Sequence, residues 1–252
     1  MIEVQGLHKS FGDEEILHDI NFDFKPGVVN VIIGGSGSGK TVLTKCIVGL
    51  FELTKGQVLY EGVNFHALNF EDKKEIRKQI GFLFQGGALF DSMTVEENVM
   101  FPLNIFEQGT KKERIERVHF VLDRVNLNGA EKKYPAEISG GMQKRVAIAR
   151  AIAMKPKYLF CDEPNSGLDP KTAIVIDNLI GEITKEYNMT TIVITHDMNS
   201  VLEIGENIMF IYKGRLEWTG NRNEILTTQN TNLSNFVYAS DFMKKIRSIA
   251  NS

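Results

Sequence analysis

The chain has 252 residues, 42% of them hydrophobic and 24% charged, enough apolar surface for one large core or two small ones, which excludes disordered and fibrous classes. Lysine and arginine number 29 against 32 acidic residues, a formal charge of −3, so the whole chain offers no field to draw in nucleic acid or anionic lipid. The two cysteines, Cys46 and Cys161, stand far apart in apolar segments, the pattern of reduced, buried thiols in a cytosol-like compartment and not of a disulfide framework.

The opening Met1-Ile2-Glu3-Val4 lacks the basic start and apolar stretch of a secretory signal, and no window approaches ~18 uninterrupted apolar residues, so no membrane span is expected. Short strand segments at Ile2 to Val4, Ile20 to Phe24 and Gln57 to Tyr60, with hairpin-like turns such as Lys25-Pro26-Gly27, predict an N-terminal antiparallel sheet. The β-branched run Val28 to Ile33 ends in a glycine cluster, after which Val42, Leu43, Cys46, Ile47 and Leu50 recur at helical spacing: strand, glycine loop, helix.

From about Met93 to Ala153 the pattern is helical, with Ile115, Val118, Val121, Leu122 and Val125 on a 3.6-residue period, which predicts an inserted helical subdomain at about 93–153. The run Tyr158 to Cys161 ends in Asp162-Glu163-Pro164. A helix with Ile176, Leu179, Ile180 and Ile183 on one face follows, then a strand at Thr191 to Thr195. Alternating strands and helices imply a mainly parallel core sheet covered on both faces, hence an α/β fold. Ile208 to Tyr212, Lys213-Gly214-Arg215 and Leu216 to Thr219 predict a hairpin. The Asn/Thr-rich residues Thr227 to Asn235 read as a linker, so residues 1–226 form the main domain and 227–252 a linker with a helical tail. That tail carries Leu233, Phe236, Val237, Phe242, Ile246 and Ile249 as an apolar stripe beside Lys244, Lys245 and Arg247.

Gly34-Gly35-Ser36-Gly37-Ser38-Gly39-Lys40-Thr41 matches the G-x-x-x-x-G-K-[ST] phosphate loop, in the strand-to-helix context that the motif requires. Glycines let backbone N–H groups converge on a phosphate, and the positive end of the next helix adds to the field. Lys40 then reaches the β- and γ-phosphates, and the Thr41 hydroxyl reaches Mg²⁺. A carboxylate at a neighbouring strand end is needed for the metal, and Asp162 supplies it; Glu163 is the candidate to polarise an attacking water.

With Ile138-Ser139-Gly140-Gly141-Met142-Gln143 added, nearly the whole chain to about Leu226 resembles the nucleotide-binding subunit of ATP-binding-cassette (ABC) transporters. The resemblance implies a P-loop NTPase cassette that hydrolyses ATP as a homodimer, with Ser139, Gly140 and Gly141 at the start of a helix facing the partner's γ-phosphate. It implies that Phe11 stacks on adenine, although Tyr is more usual there. Gln85 lies between metal site and permease interface and counts as a metal ligand, Ser166-Gly167-Leu168-Asp169 communicates across the dimer, and His196 contacts the γ-phosphate. His8, His18, His66 and His119 lack such context and read as surface or packing residues.

Met142, the run Phe84 to Thr94 and the segment Asn98 to Leu103 narrow the resemblance to ATPases of the bacterial maintenance-of-lipid-asymmetry (Mla) systems. Those imply phospholipid transport at the cytoplasmic side of the inner membrane, with an integral-membrane permease and an MCE-domain lipid-binding partner. Ala88, Leu89, Phe90 and Met93 would then meet a permease helix, core packing being the other reading of that apolar run. An ABC ATPase for an amino acid or drug stays open, as does a soluble non-transport ABC ATPase. The latter usually carries two cassettes or a long coiled-coil insertion, and this sequence has neither. A small-molecule kinase does not account for Ser139-Gly140-Gly141.

Overall fold

The structure, a computed structural model, describes residues 1–106 and 109–239. In chain order the elements are β1 (Ile2–Phe11), β2 (Glu14–Phe24), β3 (Val29–Ile33), α1 (Lys40–Ile47), β4 (Lys55–Tyr60), β5 (Val63–Asn64), α2 (Phe70–Arg77), β6 (Ile80–Leu83), α3 (Val95–Ile105), α4 (Lys111–Arg124), α5 (Gly140–Ile152), β7 (Tyr158–Asp162), α6 (Pro170–Glu186), β8 (Thr190–Ile194), α7 (Met198–Ile204), β9 (Asn207–Tyr212), β10 (Arg215–Gly220) and α8 (Thr231–Val237). Contacts divide the chain into two compact units: residues 1–25, 29–68 and the described residues from 194 onward, and residues 26–28 with 69–193.

In the first unit an antiparallel sheet runs β2-β1-β4-β5, and a second group runs β10-β9-β3 with β3 parallel to β9. Every residue of β3 is buried, as a strand covered on both faces requires, and α1 buries Leu43, Cys46 and Ile47. Lys25-Pro26-Gly27 does not close a hairpin. β2 pairs with β1 through the turn at Gly12-Asp13, whereas β3 pairs with β9, so the proline turn carries the chain from one sheet to the other. The expected hairpin is β9–β10.

The Asn/Thr-rich stretch read as a linker is folded instead. Asn230 caps α8 by accepting from Leu233 N–H at 2.8 Å, Leu233 and Val237 are buried, and Phe236 packs on Phe210. An i, i+4 apolar pair outweighs a polar composition once a surface is there to receive it. Phe242, Lys244, Lys245, Ile246, Arg247 and Ile249 lie outside the described residues.

In the second unit the strands run β8-β7-β6, with β6 and β7 parallel and Leu83 opposite Cys161. α5 packs on β6, α3, α4 and α6, burying Val146, Ala147, Ile148, Ala149 and Ile152. α3 and α4 both begin in capping boxes, Thr94 with Glu97 and Thr110 with Glu113, which satisfy N–H groups that a helix start otherwise leaves unpaired. Among the described residues no helix is long and apolar enough to cross a membrane. Both cysteines are free and buried, and burial pushes the Cys46 thiol up to about 11 and Cys161 well above its ordinary value.

Candidate functional site

The first unit carries the glycine loop. β3 runs straight into Gly34, and α1 starts at Lys40 with Gly39 at the cap, φ 106°, and no side chain capping it. The helix N-terminus therefore keeps N–H groups for an anion. A Cβ on Gly34 would collide with the Ile211 carbonyl and stand 2.6 Å from Ser38 Oγ; one on Gly39 would stand 2.6 Å from Leu17 Cδ2. Lys40 folds back over the loop, its Nζ donating to the Gly34 and Gly35 carbonyls at 2.8 and 2.9 Å. Gly35, Ser36, Gly37 and Thr41 are exposed, while Ser38 Oγ is buried with no hydrogen-bond partner. A bare, outward-facing backbone with one cation across it suits a polyphosphate.

Two further expected residues lie in the same unit. Thr195 N–H donates to the Ile32 carbonyl at 3.2 Å, fixing the turn with exposed His196 beside the strand that feeds the glycine loop. Phe11 ends β1 with 45% of its surface exposed. Phe51 braces it edge-on at 5.2 Å, and the Lys9 ammonium stands 4.6 Å from the ring centroid. A braced, half-exposed ring is suited to stacking.

The other histidines bear out packing and surface roles where their contacts are seen. Glu15 receives His8 Nδ1 at 2.7 Å and His18 Nδ1 at 3.0 Å, and those contacts hold its carboxyl below the usual range; His66 lies against Glu52 and the Cys46 carbonyl.

The second unit carries the remaining candidates. Asp162 is the last residue of β7 and Glu163 follows with φ 47°, a left-handed conformation that costs a non-glycine residue about 1–2 kcal/mol. Leu83 and Cys161 are opposite each other on parallel strands, so Gln85 and Glu163 each follow two residues beyond that pair, at the same sheet end. Ser139 caps α5, its Oγ accepting from Met142 N–H at 3.3 Å, which leaves the hydroxyl hydrogen available to a ligand. Asp169 caps α6, accepting from Thr172 Oγ1 at 2.5 Å and Thr172 N–H at 3.0 Å, and those bonds hold its carboxyl below the usual range. Gln85 to Gly87, Gly140, Gln143, Lys144 and Ser166 to Leu168 line an open pocket of about 480 Å³.

The segment from Phe84 to Met93 is held by side chains. Lys144, buried on α5, donates its ammonium to the Gln85 carbonyl. Arg150, on the same helix, donates to the Gly87 and Ala88 carbonyls at 2.6 and 2.7 Å. Asn98, fully buried on α3, accepts from Phe90 N–H at 2.9 Å and donates to the carbonyls of Phe90, Met93 and Thr94 at 3.0–3.1 Å. Burial lowers Lys144 from the ordinary lysine value, with Cys161, Asp162 and Glu163 pulling it back up.

A separate apolar groove of about 400 Å³ is lined by Phe82, Phe84, Ala88, Phe90 and Phe101, with Arg150 at its edge. Ala88 and Phe90 line this groove, while Leu89 and Met93 are not among its lining residues. Lys144 and Asn98 lie inside segments that the sequence singles out by resemblance, yet nothing in the sequence marks them or Arg150 as clamps beyond a polar side chain on a helix rich in apolar positions.

Among the described residues no three His, Cys, Asp and Glu side chains gather into a metal-holding group. The candidate ligands are one hydroxyl (Thr41), one amide (Gln85) and one carboxylate (Asp162), a hard oxygen set that fits Mg²⁺ only when phosphate oxygens complete it.

A strand-borne glycine loop with a lysine at the helix start defines a nucleoside-triphosphate-binding protein. The family model described as ABC transporter matches residues 17–166. The probable ribonucleotide transport ATP-binding protein mkl of Mycobacterium leprae is 38% identical over 239 residues, 94% of this chain and 68% of that protein. The glutamine transport ATP-binding protein GlnQ of Escherichia coli is 40% identical over 223 residues, 88% of this chain and 91% of that protein. The ATP-binding cassette MJ0796, solved as a dimer in a post-hydrolysis state with ADP and Pi, superposes with a TM-score of 0.77 at 32% identity, over 88% of this chain and 99% of that one. This chain belongs to the ABC transporter family, as an ATP-binding, ATP-hydrolysing subunit.

Proposed function

We propose that this subunit energises phospholipid movement across a bacterial envelope, as an Mla-type (MlaF-like) ATPase on the cytoplasmic face of the inner membrane, beneath an integral-membrane permease with an MCE-domain lipid-binding partner. One observation carries the reading. The segments that resemble Mla ATPases, Ser139 to Arg145 with α5 behind it, Phe84 to Thr94, and Asn98 to Leu103, are bound to one another by Lys144, Arg150 and Asn98, so they form one device and not scattered matches. A second reading is an ATPase for an amino acid or another small solute, favoured by the likeness to GlnQ over 91% of that protein's length.

In either reading two copies close head to tail on two ATP molecules. The loop N–H groups of Gly34 to Gly39 cradle the phosphates, Lys40 offsets charge on the leaving diphosphate, and Phe11 stacks on the base. Thr41, Gln85 and Asp162 would hold Mg²⁺, which supplies charge neutralisation between the phosphates. Glu163 takes the proton of the attacking water at its carboxylate and His196 donates toward the γ-phosphoryl oxygens. Ser139, Gly140 and Gly141 act on the nucleotide of the partner subunit. A permease helix in the Phe82–Phe101 groove converts closure into transmembrane motion.

Glu163→Gln is expected to keep ATP binding and arrest turnover; residual hydrolysis above about a tenth of wild type counts against the role of Glu163. Purifying the complex from membranes and identifying its subunits and lipids by mass spectrometry tests the cargo. An MCE-domain protein with phospholipid is expected, and a solute-binding protein without lipid would overturn the phospholipid reading.

A further inference from the structure

In the first unit two aromatic rings and two lysines alternate. The Lys9 ammonium stands over the Phe11 ring, 4.6 Å from its centroid, and 5.7 Å from the centroid of Phe51, while the Lys45 ammonium stands 5.3 Å from the Phe51 centroid. Lys9 Nζ also donates to the Glu52 carbonyl at 2.9 Å, so its place over the rings is fixed by a partner from another segment. Phe51 lies in the turn that follows α1, its N–H donating to the Lys45 carbonyl at 3.1 Å. The half-exposed ring of Phe11 is thus tied, through Lys9 and Phe51, to the end of the helix whose first residue is Lys40. A cation over a ring is attracted by its negative face, and a ring held before a ligand arrives loses less rotamer freedom on binding.

We propose that Lys9 is a positioning residue for nucleotide binding: its ammonium, anchored on the Glu52 carbonyl, fixes the Phe11 ring against the turn after α1, so that the base site is ordered before ATP enters. The two ends of α1 then serve the two ends of the nucleotide, the glycine loop at its start taking the phosphates and the braced ring near its end taking the base. This role rests on the reading of Phe11 as the ring that stacks on adenine. Beyond that reading, it assigns part of the affinity for the base to a cation that never has to touch the nucleotide.

The test compares Lys9→Met, Lys9→Gln and Lys9→Arg with Phe11→Ala and the double variant Phe11→Ala/Lys9→Met, all in the full chain and each first checked for an unchanged thermal midpoint. Lys9→Met and Lys9→Gln are expected to raise the calorimetric Kd for ADP and the KM for ATP about three- to fivefold, with the loss falling on KM and not on kcat. Lys9→Arg is expected to stay within about twofold of wild type, because a guanidinium also sits well over a ring. With Phe11 already removed, Lys9→Met is expected to add less than about 1.5-fold, since the two side chains act through one contact. Inorganic tripolyphosphate carries the phosphates without a base, and as a competitive inhibitor of ATP hydrolysis it is expected to show the same inhibition constant in wild type and every variant.

A wild-type Kd for ADP in Lys9→Met would overturn the proposal. So would an equal loss in the Phe11→Ala background, or a matching rise in the tripolyphosphate inhibition constant, because either makes Lys9 a charge acting on the phosphates and not on the ring. If Lys9→Met lowers the thermal midpoint, Lys9→Gln against Lys9→Arg decides by the same criteria. Phe11→Ala separates the two levels. Should it bind ADP as tightly as wild type, the stacking reading of Phe11 fails and takes the role of Lys9 with it; should it weaken ADP while Lys9→Met does not, only the role of Lys9 fails.

Discussion

Two glycine-containing loops, Gly34 to Gly39 and Phe84 to Phe90, each follow a parallel strand, yet they are held in opposite ways. The first is held mainly by its own residues, a lysine folded onto the loop's own carbonyls, with glycines where a Cβ would strike Ser38 or the neighbouring Ile211 and Leu17. The second is shaped by side chains from the helices around it, Lys144 and Arg150 some sixty residues away and Asn98 eight residues beyond Phe90 on α3. A self-supporting loop presents a constant surface to a constant ligand. A loop strapped from outside takes its position from the helices that strap it, which is what a segment relaying movement needs.

The largest expected effect breaks the first loop. Lys40→Ala should lower ATP hydrolysis about 10²–10³-fold while changing the thermal midpoint by only a few degrees, because the lysine's bonds to the Gly34 and Gly35 carbonyls lie at the part-buried to exposed rim of the loop; steady-state assays with thermal melts check both halves, and a drop in midpoint matching the lost activity would make the loop no more self-supporting than the second. Asn98→Ala should cost about 2–4 kcal/mol in urea unfolding, since the backbone of Phe90, Met93 and Thr94 loses the fully buried amide that pairs with it. Arg150→Lys should cost less, about 1–2 kcal/mol, because an ammonium cannot span the Gly87 and Ala88 carbonyls as the planar fork does; the accompanying rise in exchange should be confined to residues 84–90.

The smallest effect is one of pH. Glu97, at the start of the helix that carries Asn98, is held below the usual carboxylate range by bonds from the Thr94 backbone and hydroxyl. A folded value lowered in this way adds stability above the unfolded carboxylate's range, near pH 4, and that stability fades as pH falls through the folded value. Glu97→Gln should therefore flatten the acid limb of a stability curve below about pH 4 and leave it unchanged in shape at pH 7.

The contrast between the loops also explains what could be read from the sequence. The glycine loop is legible because its residue types follow one another within eight positions and a motif records them, even though Gly34 and Gly39 also answer to the distant Ile211 and Leu17. The α/β alternation, the β9–β10 hairpin and the buried strands are legible for the same reason, since periodicity is a local property. Lys144 and Arg150 are not legible as clamps, because on a helix rich in apolar positions a cation reads as a solvated face until its carbonyl partners are known. The fate of residues 227–235 was hidden differently. Leu233 and Val237 form a visible apolar pair, but the surface that receives this helix is set by contacts such as Phe236 on Phe210, 26 residues upstream.

The two buried thiols have a practical consequence. With Cys46 and Cys161 enclosed and their thiols held in the protonated form at neutral pH, neither reacts readily with maleimides or disulfide probes in the folded protein. Since these are the only two cysteines in the chain, an engineered surface cysteine would be its single labelling position. Spin labels or fluorophores placed at Ser36 and at Gly140 in separate variants could thus report distances between subunits without first stripping the native cysteines from the core.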